Sequence, residues 1–105
     1  MKTTELIEKL KKIEDLAPVI YQNYKEIKST PFIVVMEDGT DNTPADNYVY
    51  FSNTTHTLEL YTEYKNFELE EKLEKLLNEN EIYWTKSADI RIEDQDLTVI
   101  YYELS

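Results

Sequence analysis

The chain alternates between stretches whose apolar residues recur at helical spacing and stretches where they run together or alternate. Over residues 3–17, Leu6, Leu10, Ile13 and Ala17 return every three or four positions, with Ile7 and Leu16 widening the stripe, which predicts a helix. Thr3 or Thr4 offers a hydroxyl oxygen to the unpaired first-turn N–H groups. Pro18 ends the helix, because proline lacks the N–H and pushes the residue before it out of helical geometry. The segment Val19-Ile20-Tyr21-Gln22-Asn23-Tyr24 is rich in β-branched and aromatic residues and reads as strand. Pro31 then opens the unbroken apolar run Phe32–Met36, which suits an interior strand covered on both faces. Residues 37–47, EDGTDNTPADN, are dense in turn formers and carboxylates and predict a long exposed loop. Its glycine, Gly39, is the only one in the chain and sits where a positive φ would be needed.

Residues 48–51 begin another extended piece. Over 57–64, Leu58, Leu60, Thr62 and Tyr64 alternate with Thr57, Glu59, Tyr61 and Glu63, which predicts a strand with one dry face and one wetter face. The second helix is the strongest pattern. Asn66 is placed to cap it, Leu69, Leu73, Leu76 and Leu77 form its buried stripe, and Glu68 with Lys72 and Glu71 with Lys75 pair at i, i+4. Glu68, Glu70 and Glu71 crowd its first turn, where the helix dipole favours negative charge. Beyond Asn78 and Asn80 the chain turns extended again through Ile82-Tyr83-Trp84, then Ile90 and Ile92. Residues 93–96 make a turn, and Leu97–Leu104 is a final strand. The order is α-β-β-β-α-β-β. With hairpin-length connections it implies an α+β fold: a mainly antiparallel sheet of about four to five strands with both helices on one face, in a single domain over residues 1–105.

Composition narrows the function classes. The chain has 105 residues and 22 Asp and Glu against 11 Lys and Arg, for a formal net charge of −11. Such a chain repels phosphate backbones unless its cations cluster, and along the sequence they do not, so no specific nucleic-acid binding is expected. Disorder is excluded because 41% of residues are apolar and fall into periodic blocks. The absence of cysteine removes disulfides, thiolate metal sites and a Cys nucleophile. The first residues lack the apolar core and cleavage site of a signal peptide, and no apolar run approaches the length of a membrane span. A soluble, cytosolic chain with no membrane association is expected.

Candidate chemistry is sparse. His56 is the only histidine, so Ser-His-Asp and multi-histidine metal schemes lack partners, and the polar run Ser52–Thr55 before it reads as a turn with a solvated histidine. Asp38, Asp41 and Asp46 could gather oxygen ligands for a hard cation, but their spacing departs from the calcium-loop pattern, and a solvated acidic loop is the simpler reading. One glycine cannot build a glycine-rich phosphate loop. No catalytic residue, metal or cofactor is therefore expected, and the chain is read as a non-enzyme. For the nine tyrosines and Trp84, protein contact outranks nucleic-acid contact, since Tyr48, Tyr50, Tyr61 and Tyr64 stand among Asp46, Glu59 and Glu63 rather than among cations; rings that simply cover a sheet are an equal alternative.

From Pro31 to the end the sequence resembles the small tail-completion, or tail-terminator, proteins of long-tailed bacteriophages of Gram-positive bacteria. The likeness lies in the succession PFIVV at 31–35, ADNYVY at 45–50, LELYTEYK at 58–65, ELEEKL at 68–73 and EIYWTKS at 81–87. These are core and turn patterns, none of them catalytic. The resemblance implies a structural virion protein that caps the tail tube and joins it to the head connector as a hexameric ring. The partners it implies are further copies of the chain, a head-completion or connector protein and the major tail tube protein. It places the chain in the host cytoplasm during assembly and at the head–tail interface of the virion. A ring around a channel that DNA crosses would gain from carboxylates that repel phosphates; the other reading of the charge is that it keeps the free subunit soluble and unassociated. The residues expected at the interface or lumen are Glu37, Asp38, Asp41, Asp46, Tyr48, Tyr50, Tyr61, Asp89, Glu93 and Asp94. A reading from another class is an acidic DNA-mimic inhibitor of a host defence enzyme. Mimicry needs carboxylates in phosphate-like rows, whereas the acids here are spread over loops, the second helix and strand faces.

Overall fold

A computed structural model describes residues 2–13, 19–21, 30–45 and 48–105. The elements are α1 (Thr3–Leu10), β1 (Val19–Tyr21), β2 (Phe32–Ala45), β3 (Tyr48–Thr62), α2 (Phe67–Glu79), β4 (Trp84–Lys86), β5 (Ile90–Ile92) and β6 (Leu97–Leu104). They form an α+β fold around one sheet with strand order β1-β2-β3-β6-β4, and β5 also pairs with β6. Every pairing is antiparallel except that of β1 with β2. The sheet has six strands rather than the expected four or five because residues 84–92 split into two short pieces on the same side of β6. Ser87 holds the junction: its N–H donates to Tyr101 O at 2.9 Å and its Oγ accepts from Tyr101 N at 3.0 Å.

Strand alternation explains both faces of the sheet. Ile33 and Val35 of β2, Leu58 and Leu60 of β3, and Ile100, Tyr102 and Leu104 of β6 face the helices, where they meet Leu6, Leu10 and Ile13 and the α2 stripe Leu69, Leu73 and Leu77. Both helices therefore lie on one face, as their amphipathic patterns require. The opposite face holds a smaller core of Phe32, Val34, Tyr61 and Val99, with Phe32 stacked on Tyr61 at 4.6 Å between ring centroids. Thus the wetter face expected for β3 is partly dry, because β2 presents apolar residues on both sides of the sheet.

Two local expectations are corrected. The α-helical part of α1 stops at Leu10, after which Lys12 N–H and Ile13 N–H bond to Lys9 O at 3.2 Å and Leu10 O at 3.1 Å in tightened turns. Residues 14–18, including the expected stop at Pro18, lie outside the described residues, as do Gln22, Asn23 and Tyr24. Nor does a threonine cap α1: Lys2 occupies the cap position without a side-chain bond, and the Thr3 hydroxyl is engaged elsewhere. In α2 the expected cap is present, with Leu69 N–H donating to Asn66 Oδ1 at 3.1 Å.

The largest departure is at residues 37–45. They continue β2 instead of forming a loop, and pair with β3 as far as Ala45 opposite Tyr48. The turn formers serve as irregularities within a ribbon. Register shifts fall between Glu37 and Gly39 and between Thr43 and Pro44, where an extra residue bends the pair and a glycine or proline is tolerated. The partner stretch Tyr48–Thr57, rich in aromatic and β-branched residues, provides the strand preference that residues 37–45 lack. Beyond Glu37 and His56 this ribbon has, among the described residues, no third strand on either side. A 14-residue strand spans about 46 Å, and the chain measures 52 × 28 × 23 Å, so the ribbon sets the long axis.

Candidate interaction surface

The acids expected at an interface or lumen stand at two ends of the sheet. Strand register aligns Glu37 with His56 and Leu104, and aligns Phe32 with Tyr61, Val99 and Ile90. Glu37 and Asp38 stand where the ribbon leaves the body, with Asp41, Tyr48 and Tyr50 farther out along it. Asp46 lies outside the described residues. Asp89, Glu93 and Asp94 sit at the opposite end, around β5 and the short 3-10 turn that follows it. Five strand positions, about 17 Å, separate the two rows. Tyr61 belongs to neither group: it is buried in the smaller core, and its hydroxyl donates to Glu59 at 2.7 Å.

At the ribbon end His56 corrects the reading of a solvated loop residue. It lies within β3 on the helix-facing side and is 3% exposed. The Thr3 hydroxyl donates to Glu37 Oε2 at 2.9 Å and lies 2.8 Å from His56 Nε2. A hydroxyl has one proton, so with that proton on Glu37 the imidazole must donate to Thr3 through Nε2–H. The grouping superficially resembles a nucleophile beside its base, but the proton runs the wrong way for base catalysis. It ties the first turn of α1 to β2 and β3.

Burial holds the His56 pKa below its ordinary value, ahead of the opposing field of Glu37. Above about pH 6.5 the imidazole is neutral folded and unfolded, and its packing contributes in full. As the pH falls below that, the unfolded chain takes up the proton first, so stability declines until the folded imidazole also protonates at its lower pKa. Denaturant midpoints between pH 7.5 and pH 5 should fall for the native chain and stay flatter for His56→Gln. Parallel profiles for the two would overturn this assignment.

The second polar site joins α2 to the sheet. Glu70 is buried and accepts from Lys65 Nζ at 2.9 Å and Lys86 Nζ at 3.3 Å. Lys86 also reaches Glu74 at 2.9 Å, and Glu74 accepts from the Tyr102 hydroxyl at 2.8 Å. The bond to Glu74 raises the Lys86 pKa against the opposing effect of burial. For Lys65, burial works downward but the bonds to Asp89 and Glu70 outweigh it, and the pKa rises. Burial and then Glu74 push the Tyr102 phenol far above its ordinary value. These groups are held in their usual charge states, which suits a clasp and not proton transfer. A sequence signal existed: Glu70, Leu73 and Leu77 fall on one helical face, so a carboxylate sits in the buried stripe.

The same end of the sheet exposes aromatic rings. Tyr64 and Phe67 are each 70% exposed, and Ile90 is exposed on the neighbouring strand. Tyr64 was expected on the dry face of a strand, but β3 ends at Thr62, which leaves the ring outside. The Arg91 guanidinium lies 5.6 Å from the Tyr64 ring centre and Lys65 Nζ lies 5.1 Å from that of Phe67. Lys65 is also bonded to Asp89 at 2.9 Å, and Arg91 donates to the Glu63 carbonyl and approaches Asp96 at 3.5 Å. Among the described residues no group of three His, Asp or Glu is arranged to hold a metal ion. Nor is any helix among them long and apolar enough to cross a membrane.

No protein-family model and no curated protein matches this chain. What the chain can do is therefore argued from its own surfaces.

Proposed function

We propose that the chain is a structural assembly protein of a long-tailed bacteriophage, one that caps the tail tube and joins it to the head connector as a hexameric ring. The observation that supports this reading best is the β2–β3 ribbon, which extends beyond β1 and β6 with both edges unpaired among the described residues. An isolated two-stranded ribbon is marginally stable in water, and its open N–H and C=O groups seek a partner. In a ring each copy offers one patch and receives another, so a projecting arm that docks on the next copy closes the assembly. In this reading the two ends of the sheet meet different neighbours: the ribbon end, with Glu37 and Asp38, faces one side of the ring, while the end with Asp89, Glu93 and Asp94 faces the other.

Imaging of purified virus particles that encode the chain should find it at one axial level between tube and head, with a ring mass of about 75 kDa for 12.5-kDa copies. Replacing residues 40–53 with a short Asn-Gly turn should leave the body folded but yield tails that do not join heads. Absence of the chain from particles, or normal joining by the shortened variant, would refute the proposal.

A further inference from the structure

We infer that the end of the sheet carrying Tyr64, Phe67 and β5 is a docking surface for a basic protein segment bearing an apolar anchor. The inference rests on side chains of this end and not on the ribbon that supports the ring proposal; the ring proposal says only which side of the ring this end faces. Two large rings stand 70% exposed, yet each is fixed from one side by a cation, Arg91 at Tyr64 and Lys65 at Phe67. An exposed aromatic held in place loses little freedom when a partner covers it, which is the property of an interface anchor. Beside Tyr64 lies an open depression of about 260 Å³ lined by Thr30, Pro31, Thr62, Glu63, Tyr64, Lys65 and Asn66, large enough for one side chain, with Pro31 and the Tyr64 ring as its apolar walls.

Charge selects the occupant. Lys65 already bonds to Glu70 and Asp89, and Arg91 already meets Asp96, so both cations are committed within the chain. Around them Glu63, Glu68, Glu93 and Asp94 are further exposed carboxylates, beyond the Asp89 and Asp96 that those cations engage. A phosphate backbone or a second copy with net charge −11 meets repulsion here, whereas lysine or arginine side chains meet carboxylates around an apolar centre. Backbone pairing is not required. β5 is short, and the irregular junction at Ser87 interrupts the edge that it shares with β4, which makes that edge a poor template for an added strand.

The test uses the full ¹⁵N-labelled chain and four probes: a short peptide alternating lysine with leucine around a central phenylalanine, its glutamate counterpart, a lysine–glycine peptide, and single-stranded DNA. The first should shift amides of residues 63–67 and 89–92, and raising NaCl from about 50 to about 300 mM should weaken it. The double variant Tyr64→Ser, Phe67→Ser should weaken it about tenfold or more with only a small fall in thermal midpoint, because both side chains are exposed and lose one cation contact each. Equal binding of the lysine–glycine peptide, the glutamate peptide or DNA at these amides would overturn the inference. So would shifts mapping elsewhere, unchanged affinity in the variant, or self-association through the same amides.

Discussion

Replacing Leu73 with alanine should lower the unfolding free energy by about 3 kcal/mol, the middle of the range for removing a buried leucine side chain. Leu73 is fully buried at the centre of the α2 stripe, within the core that also takes in residues from α1, β2, β3 and β6. The deleted atoms lose their transfer free energy, and packing from several elements keeps the site from collapsing around the void. For a chain of this size the loss corresponds to a fall in thermal midpoint of roughly 12 to 24 °C. Leu76→Ala, at a partly buried position on the flank of the same helix, should do less harm. Denaturant titration of both variants checks the order. A loss below about 1 kcal/mol at Leu73 would mean that the helical layer does not close the core.

That prediction rests on the most legible part of the sequence. Helix α2 could be read because three independent signals agree there: a leucine stripe, an asparagine cap and acids in the first turn. β6 was equally clear, since its eight residues begin after a turn and alternate toward a buried face. The ribbon was hidden because turn formers outnumber apolar residues in 37–45, and local composition carries no record of a strand partner that arrives ten or more positions later. His56 was misread for the same reason. Its neighbours are polar, but Leu104 across the strand and Thr3 above it remove it from water. Thr3 itself shows a local preference overruled: as a cap it would satisfy one N–H of α1, whereas its contacts with Glu37 and His56 tie that helix to two strands.

Of the residues expected at an interface or lumen, Asp89, Glu93 and Asp94 lie at the surface. Tyr61 does not, because odd positions of β3 meet a second core that Phe32, Val34 and Val99 build on the far face. The exposed rings that matter, Tyr64 and Phe67, occupy the three-dimensional corner between a strand end and a helix start. Period-2 alternation identifies such a residue only if the last strand residue is known. Here that residue is Thr62, two positions before Tyr64.

Glu70→Ala should rank next, lowering stability by about 2 kcal/mol. The carboxylate is buried between two ammonium groups, one from the β3–α2 connection and one from β4, so its removal takes a shared partner from two positive charges. The lysine side chains are 32% and 37% exposed and regain some hydration, which keeps the loss below that of a fully buried pair. Lys86 also retains Glu74, and Lys65 retains Asp89. A double-mutant cycle with Lys86→Met isolates the link to β4, and because the two lysines share one carboxylate the single effects should not add. The pH dependence has a fixed sign. Both lysine pKa values are raised on folding, so this stabilisation is complete below the unfolded value near 10.5 and is lost as the pH rises through the higher folded values. The gap between native and Glu70→Ala proteins should therefore hold across neutral pH and narrow only in strong alkali. A gap that closes in the neutral range, or a variant as stable as the native chain, would show that Glu70 does not clasp the helix to the sheet.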